Sequence, residues 1–153
     1  MKIRILNSEA ADILSRPEPS DRGLYATRNY IPLIARILLS VLFLVSGINK
    51  VLHPAATQDY MAAAGMPLTG LFLIAAIALE IGAGLSVLLG YQARWGAIAL
   101  IGFTALATLI FHTNLSDQLQ QIMFLKNLAI IGGLLMIVQY GSGTIALLPD
   151  RTR

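Results

Sequence analysis

The chain has 153 residues, of which 56% are hydrophobic and only 12% charged, and its mean hydropathy is +0.71. A water-soluble domain of this size has too much surface to cover with so few charges, where about 25% is usual, so the composition excludes that class, excludes a disordered chain and points to a bilayer. Cysteine is absent, which excludes thiol–disulfide chemistry, Cys-ligated zinc or iron–sulfur sites and palmitoylation. The net charge of +3 matters less than where the charges sit.

Met1–Asn29 holds Lys2, Arg4, Glu9, Asp12, Arg16, Glu18, Asp21, Arg22 and Arg28, with Pro17 and Pro19. It has neither the apolar core nor the small-residue cleavage site of a signal peptide. It reads as a polar cytosolic arm over 1–29, either a mostly disordered tail or one with an amphipathic turn near the headgroups.

Four apolar segments follow, at about 30–48, 68–90, 95–111 and 121–140. Each is near the roughly 20 residues that a spanning helix needs. In hydrocarbon every backbone group must be paired within its own element, so these are helices. The expected fold is therefore all-α, a four-helix membrane bundle over 30–148 with a short tail at 149–153. Between the first two spans, Pro54 suits a first helical turn, while Gly65 and Pro67 suit a stop. A short interfacial helix is expected at about 54–64, on the outer surface and over the bundle.

Orientation follows from the basic residues flanking the spans. Lys2, Arg4, Arg16, Arg22, Arg28, Arg94, Arg151 and Arg153 fall on the side that holds both termini, against Lys50 and Lys126 on the other. Both termini are thus expected in the cytosol. Tyr30, Tyr91, Trp95 and Tyr140 fall at the interfaces and read as anchors. Gly82-x-Gly84 and Gly132-Gly133 read as helix-packing positions, since a glycine pair inside a spanning helix cannot form a phosphate loop.

A charge at the bilayer centre costs about 2.5–3.5 kcal/mol on insertion scales. Glu80 lies near the middle of the second span, flanked by Ala76 and Gly84, so it should face the bundle interior, where its charged form needs a partner. Arg36 is the expected partner. It lies roughly 9 Å from the cytosolic end of the first span and Glu80 roughly 15 Å, a gap a guanidinium can bridge. This buried polar core reads either as an ion pair that fixes helix register or as a proton or ligand anchor, with a snorkelling Arg36 as a further alternative.

A second cluster belongs to the outer half. Asn49, Lys50 and His53 end the first span, His112 ends the third, and Lys126 and Asn127 open the fourth. They could converge on one polar pocket beneath the short helix, suited to an anionic headgroup or to the carbonyls of a quinone. The competing reading is interfacial snorkelling and capping. No metal site is expected, nor any nucleotide-binding loop, and no catalytic residue can be assigned. The bilayer is the evident partner and nucleic acid is not one.

The order of Arg36, then Phe43-Leu44-Val45-Ser46-Gly47-Ile48-Asn49-Lys50, Gly65-Met66-Pro67, Glu80 with Gly82 and Gly84, Leu88-Leu89-Gly90 with Arg94, His112, and Lys126-Asn127 before Gly132-Gly133 resembles the DoxX family of small four-helix membrane proteins. The family is related to the DoxD subunit of a thiosulfate:quinone oxidoreductase. The resemblance implies a bacterial-type inner membrane and a polar core of Arg36, Lys50, Glu80 and Asn127. It also implies an oxidoreductase role linked to a quinone or to a redox partner protein, because the chain has no thiol, haem or flavin motif of its own. Two other function classes remain open. One is a non-catalytic accessory or assembly subunit that docks on a larger membrane complex through the arm, and the other is a small-solute or proton-coupled transporter.

Overall fold

A computed structural model describes residues 19–147, with side chains over 30–147. The arm expected at Met1–Asn29 therefore lies outside the described residues up to 18, and the tail at 149–153 lies outside them entirely. Among the described residues there are five helices and no strand: α1 (Pro19–Leu52), α2 (Pro54–Ala63), α3 (Thr69–Leu89), α4 (Ala93–Phe111) and α5 (Gln118–Tyr140). Four are long and apolar enough to cross a bilayer, over Tyr30–Leu52, Thr69–Leu89, Ala93–Phe111 and Gln118–Tyr140. The chain is an all-α, four-span membrane protein. One expectation needs correcting: the backbone of the arm is already helical from Pro19, so α1 runs continuously into its span.

The spans alternate in direction. One end of the bundle, here the terminal end, carries the start of the first span, the α3–α4 turn and the end of α5. The other end carries α2. At the terminal end the α3–α4 turn is very tight. Gly90 caps α3 at φ +71°, in the left-handed region, where a Cβ is disfavoured, and Ser86 Oγ donates to the Tyr91 carbonyl at 2.7 Å. At the α2 end, Asp117 caps α5 by accepting from the Leu119 amide at 2.8 Å, which satisfies a backbone donor that has no intrahelical partner.

Packing is concentrated in the terminal half. Phe43, Val87, Ala93, Ala97, Leu100, Ile130, Leu134 and Ile137 form the main buried cluster. A Cβ on Gly96 would sit 3.0 Å from the Ala83 carbonyl oxygen, so α3 and α4 touch almost backbone to backbone there. Each glycine pair is split in use. Gly84 packs on Leu44 and Gly133 on Leu39, while Gly82 and Gly132 face open space. In the α2 half a smaller cluster of Met61, Leu73 and Ala76 anchors α2, and the Tyr60 and Phe111 rings stack at 5.0 Å.

After α5 the chain folds back across the terminal end. Gly143 lies against the Pro32 ring and Ala146 against Gly90. The Leu147 amide donates to the Leu89 carbonyl at 2.8 Å, and the Arg36 guanidinium donates to the Ile145 carbonyl. A methyl group at Gly90 would meet both the guanidinium and the Ala146 backbone. Gly90→Ala should therefore lower stability by at least about 1–2 kcal/mol, the left-handed penalty alone, read as an earlier thermal melt in detergent. Gly82→Ala, which meets nothing, should leave the melt unchanged or raise it.

Candidate functional site

The segment Phe43-x-x-Ser46-Gly47-x-x-Lys50 builds one wall of the site. Ser46 and Lys50 are four apart and so share a face of α1. Gly47 sits between them where α1 crosses α3, and a Cβ there would lie 3.2 Å from Glu80 Cβ and 2.8 Å from Ile81 Cγ1. That absence of a side chain lets Ser46 and Lys50 reach across to Glu80. Lys50 Nζ lies 3.0 Å from each carboxylate oxygen, with hydrogen-bond geometry to Oε1. Lys50 also donates to Ser46 Oγ at 2.8 Å, and Ser46 donates to Glu80 Oε1 at 3.0 Å. The three form a closed triangle. The Glu80 side chain is 4% exposed and that of Lys50 20%.

The expected Arg36–Glu80 pair is thus corrected. Both residues are buried, but the Arg36 guanidinium lies beside Gly90, ten residues along α3 from Glu80 and about 15 Å away. Helical side chains lean toward the N-terminus of their helix. On α1 that direction is the terminal end, so Arg36 leans away from Glu80. On α3 it is the α2 end, so Glu80 leans away from Arg36 and toward Lys50, whose own stem leans back to meet it.

Above this triangle is a cavity of about 800 Å³, lined by all four spans and α2. That volume lies within the usual range for small-molecule and cofactor sites. Asn49, Lys50, His53, His112, Lys126 and Asn127 all line it, together with Glu80. The six differ in what they do. Asn127 Nδ2 donates to Thr108 Oγ1 at 2.8 Å, and Thr108 Oγ1 donates to the Thr104 carbonyl at 2.6 Å. His112 Nδ1 meets Gln120 Oε1 at 2.7 Å. Nδ1 then carries the hydrogen, which leaves Nε2 of a neutral ring as an acceptor. Lys126 Nζ contacts Met123 Sδ at 3.2 Å. His53 precedes α2 without capping it through its side chain, and Asn49 is exposed. Arg36 stands apart, on the far side of the packed half.

Sequence reasoning missed Ser46, Thr104 and Thr108. Thr104 lines the cavity and is 5% exposed, and its hydroxyl has no hydrogen-bond partner among the described residues. Thr104 and Thr108 are four apart, a helical-face signal available in the sequence. The same signal links Ser46 to Lys50. Among the described residues no three His, Asp or Glu side chains gather as a metal site would require.

A protein-family comparison matches the DoxX profile to residues 31–113, more than half of the chain and the part that holds the triangle, α2 and His112. The chain belongs to the DoxX family. Two DoxX-like relatives from Escherichia coli (strain K12) extend the likeness. The inner membrane protein YqjF is 41% identical over 115 residues, covering 75% of this chain and 87% of that protein. The inner membrane protein YphA is 32% identical over 127 residues, covering 80% and 91%. No solved structure matches the chain.

Lys50→Met alone strands a buried carboxylate in this DoxX bundle, and should cost about 3–5 kcal/mol. Glu80→Leu alone should cost less, since Lys50 is partly exposed and can turn outward. The double variant should recover most of the loss. An Arg36→Met/Glu80→Leu cycle should be additive to within about 0.5 kcal/mol, as for distant groups. Unfolding in detergent measures all of these.

Proposed function

We propose that the chain is a quinone-linked subunit of a bacterial-type inner membrane, with both termini in the cytosol and the cavity near the outer surface. The observation that carries the reading is the Thr104 hydroxyl, buried in the cavity wall without a partner among the described residues. An unsatisfied buried hydroxyl costs about 1–3 kcal/mol, and a ligand carbonyl would relieve that cost. The remainder of the lining suits the same molecule. Phe43, Met61, Phe103 and Ile130 supply apolar walls for a ring. Asn127 spends one amide hydrogen on Thr108 and has a second to offer.

A quinone, when bound, exchanges electrons together with protons at its ring oxygens. Thr104 and Asn127 would orient those oxygens, and His112 and the Lys50–Glu80 pair are among the lining groups able to hold or pass a proton, with His53 and Lys126 beside them. Electrons would come from a redox partner protein. The inner-membrane names of both relatives support the location, and the excess of basic residues on the terminal side supports the orientation. The accessory-subunit reading has one observation in its favour, the continuation of α1 to Pro19 beyond its span, which would give a partner a rigid handle. The two readings are compatible, since a subunit without its own electron carrier needs a partner.

The test is extraction of quinone from protein purified gently out of native membranes. Thr104→Val should cut retained quinone by roughly tenfold, the worth of one buried hydrogen bond, while melting no earlier than the parent. Lys50→Ala should abolish retention. Equal retention in Thr104→Val and the parent, or none in the parent, counts against the reading.

A further inference from the structure

The cavity has walls of two kinds, and the difference bears on how a ligand enters. On α3, Phe72, Ala75, Leu79, Ala83 and Ser86 recur at spacings of three and four, so they form one stripe. On α4, Gly96, Phe103, Leu106 and Ile110 follow one another at spacings of seven, three and four, so they also share one face. At the terminal end these two stripes touch, with Gly96 seated on Ala83 and Ser86. Toward α2 the same stripes line the cavity instead of each other, so the helices diverge from the Gly96 crossing. The residues on the two lips line the cavity and yet face outward. Phe72, Leu79, Leu106 and Ile110 are 39%, 37%, 57% and 36% exposed, and Ala75 is exposed as well. They lie within the apolar spans, so the surface they face is hydrocarbon. A slot between α3 and α4 thus joins the cavity to the bilayer, and its lips carry no polar side chain. On the opposite side, between α1 and α5, the exposed lining residues include Asn49 and Lys126. That side is polar.

We infer that the slot between α3 and α4 seats a flexible hydrocarbon tail, so that the molecule held in the cavity is a long-tailed membrane lipid that enters sideways from the bilayer. This rests on the quinone reading for the head and adds the tail, its place and its direction. The physical reason is continuity. A ring against Thr104 and Asn127 has polar residues around it and only one wholly apolar way out, and a tail that takes it packs against apolar side chains while its far end stays in the bilayer. Ala75 leaves room at the middle of one lip, where a large side chain would block the passage without touching the Lys50–Glu80 triangle.

The test uses full-length protein in lipid nanodiscs, with a decyl-substituted benzoquinone and its tailless parent as probes and empty discs to correct for partitioning. After that correction the tailed probe should still bind several-fold more tightly than the tailless one, through the packing of its tail between the lips rather than through the hydrophobic effect. Ala75→Trp should remove that advantage and leave the tailless probe unaffected. Leu106→Trp, from the facing lip, should do the same, and far-ultraviolet circular dichroism shows whether either variant has lost its helices. As a second readout, a diazirine at the tail end should label α3 and α4 peptides around Ala75 and Leu106. Labelling beside Asn49 and Lys126, or equal affinity for both probes with no effect of Ala75→Trp, overturns the slot while the head site stands. Failure of both probes to bind the parent protein overturns the quinone reading and the slot with it.

Discussion

A carboxylate in the middle of a spanning helix has few ways to exist. Water is absent, so its charge must be met by another side chain held close, and that requirement sets where the neighbouring helix can lie. In this protein Glu80 is met by Lys50 and Ser46 from α1, and the approach is possible because Gly47 presents no side chain at the crossing. The α1–α3 register follows from that contact. Moving α1 by a single residue would carry Gly47 away from Glu80 and put Ile48 or Ser46 at a crossing that has no room for a Cβ. Close packing and charge pairing therefore reinforce each other at one point.

From that crossing the bundle is tight in one direction and open in the other. Below it, Val87, Ala97, Leu100 and Leu134 are fully buried, and Gly96 brings α4 against α3. Above it the spans no longer fill the space between them, and α2 covers what remains, anchored by Met61 and by the Tyr60–Phe111 stack. Small residues at the crossing and apolar ones at the α3–α4 lips make the cavity a consequence of helix geometry, with its polar groups on the inner walls and on the α1–α5 side. The Lys50–Glu80 pair thus has two roles: it fixes the register and it supplies the most polar patch of the cavity.

Arg36 shows how a plausible pairing fails for a directional reason. Depth along the helix put it within reach of Glu80, but depth leaves out which way a side chain leans. On two antiparallel helices, residues that lean toward their own N-termini meet only if each lies ahead of the other, and Lys50 and Glu80 satisfy that condition. Arg36 lies behind, and its guanidinium turns to the terminal end, where Gly90 makes room and the Ile145 carbonyl accepts from it. An arginine expected to hold the interior together instead ties the folded-back C-terminal segment to the bundle floor.

The sequence by itself determined the four spans, the short helix after Pro54 and the inward face of Glu80, because the bilayer requires unbroken apolar helices and penalises every exposed charge. The set of residues from Asn49 to Asn127 was also legible, since each is a polar group at the α2 end of a span. Their convergence on one pocket stood beside a snorkelling and capping reading, and the sequence could not choose between them, because the outcome depends on how far α3 and α4 diverge beyond Gly96, a property of packing between segments distant in the chain. Thr104 was overlooked for a related reason. A threonine in a helix can satisfy its hydroxyl on its own backbone, and only the tertiary structure leaves this one unpartnered among the described residues and facing a cavity. The choice of Lys50 over Arg36 was likewise decided in three dimensions, by the direction in which antiparallel helices point their side chains.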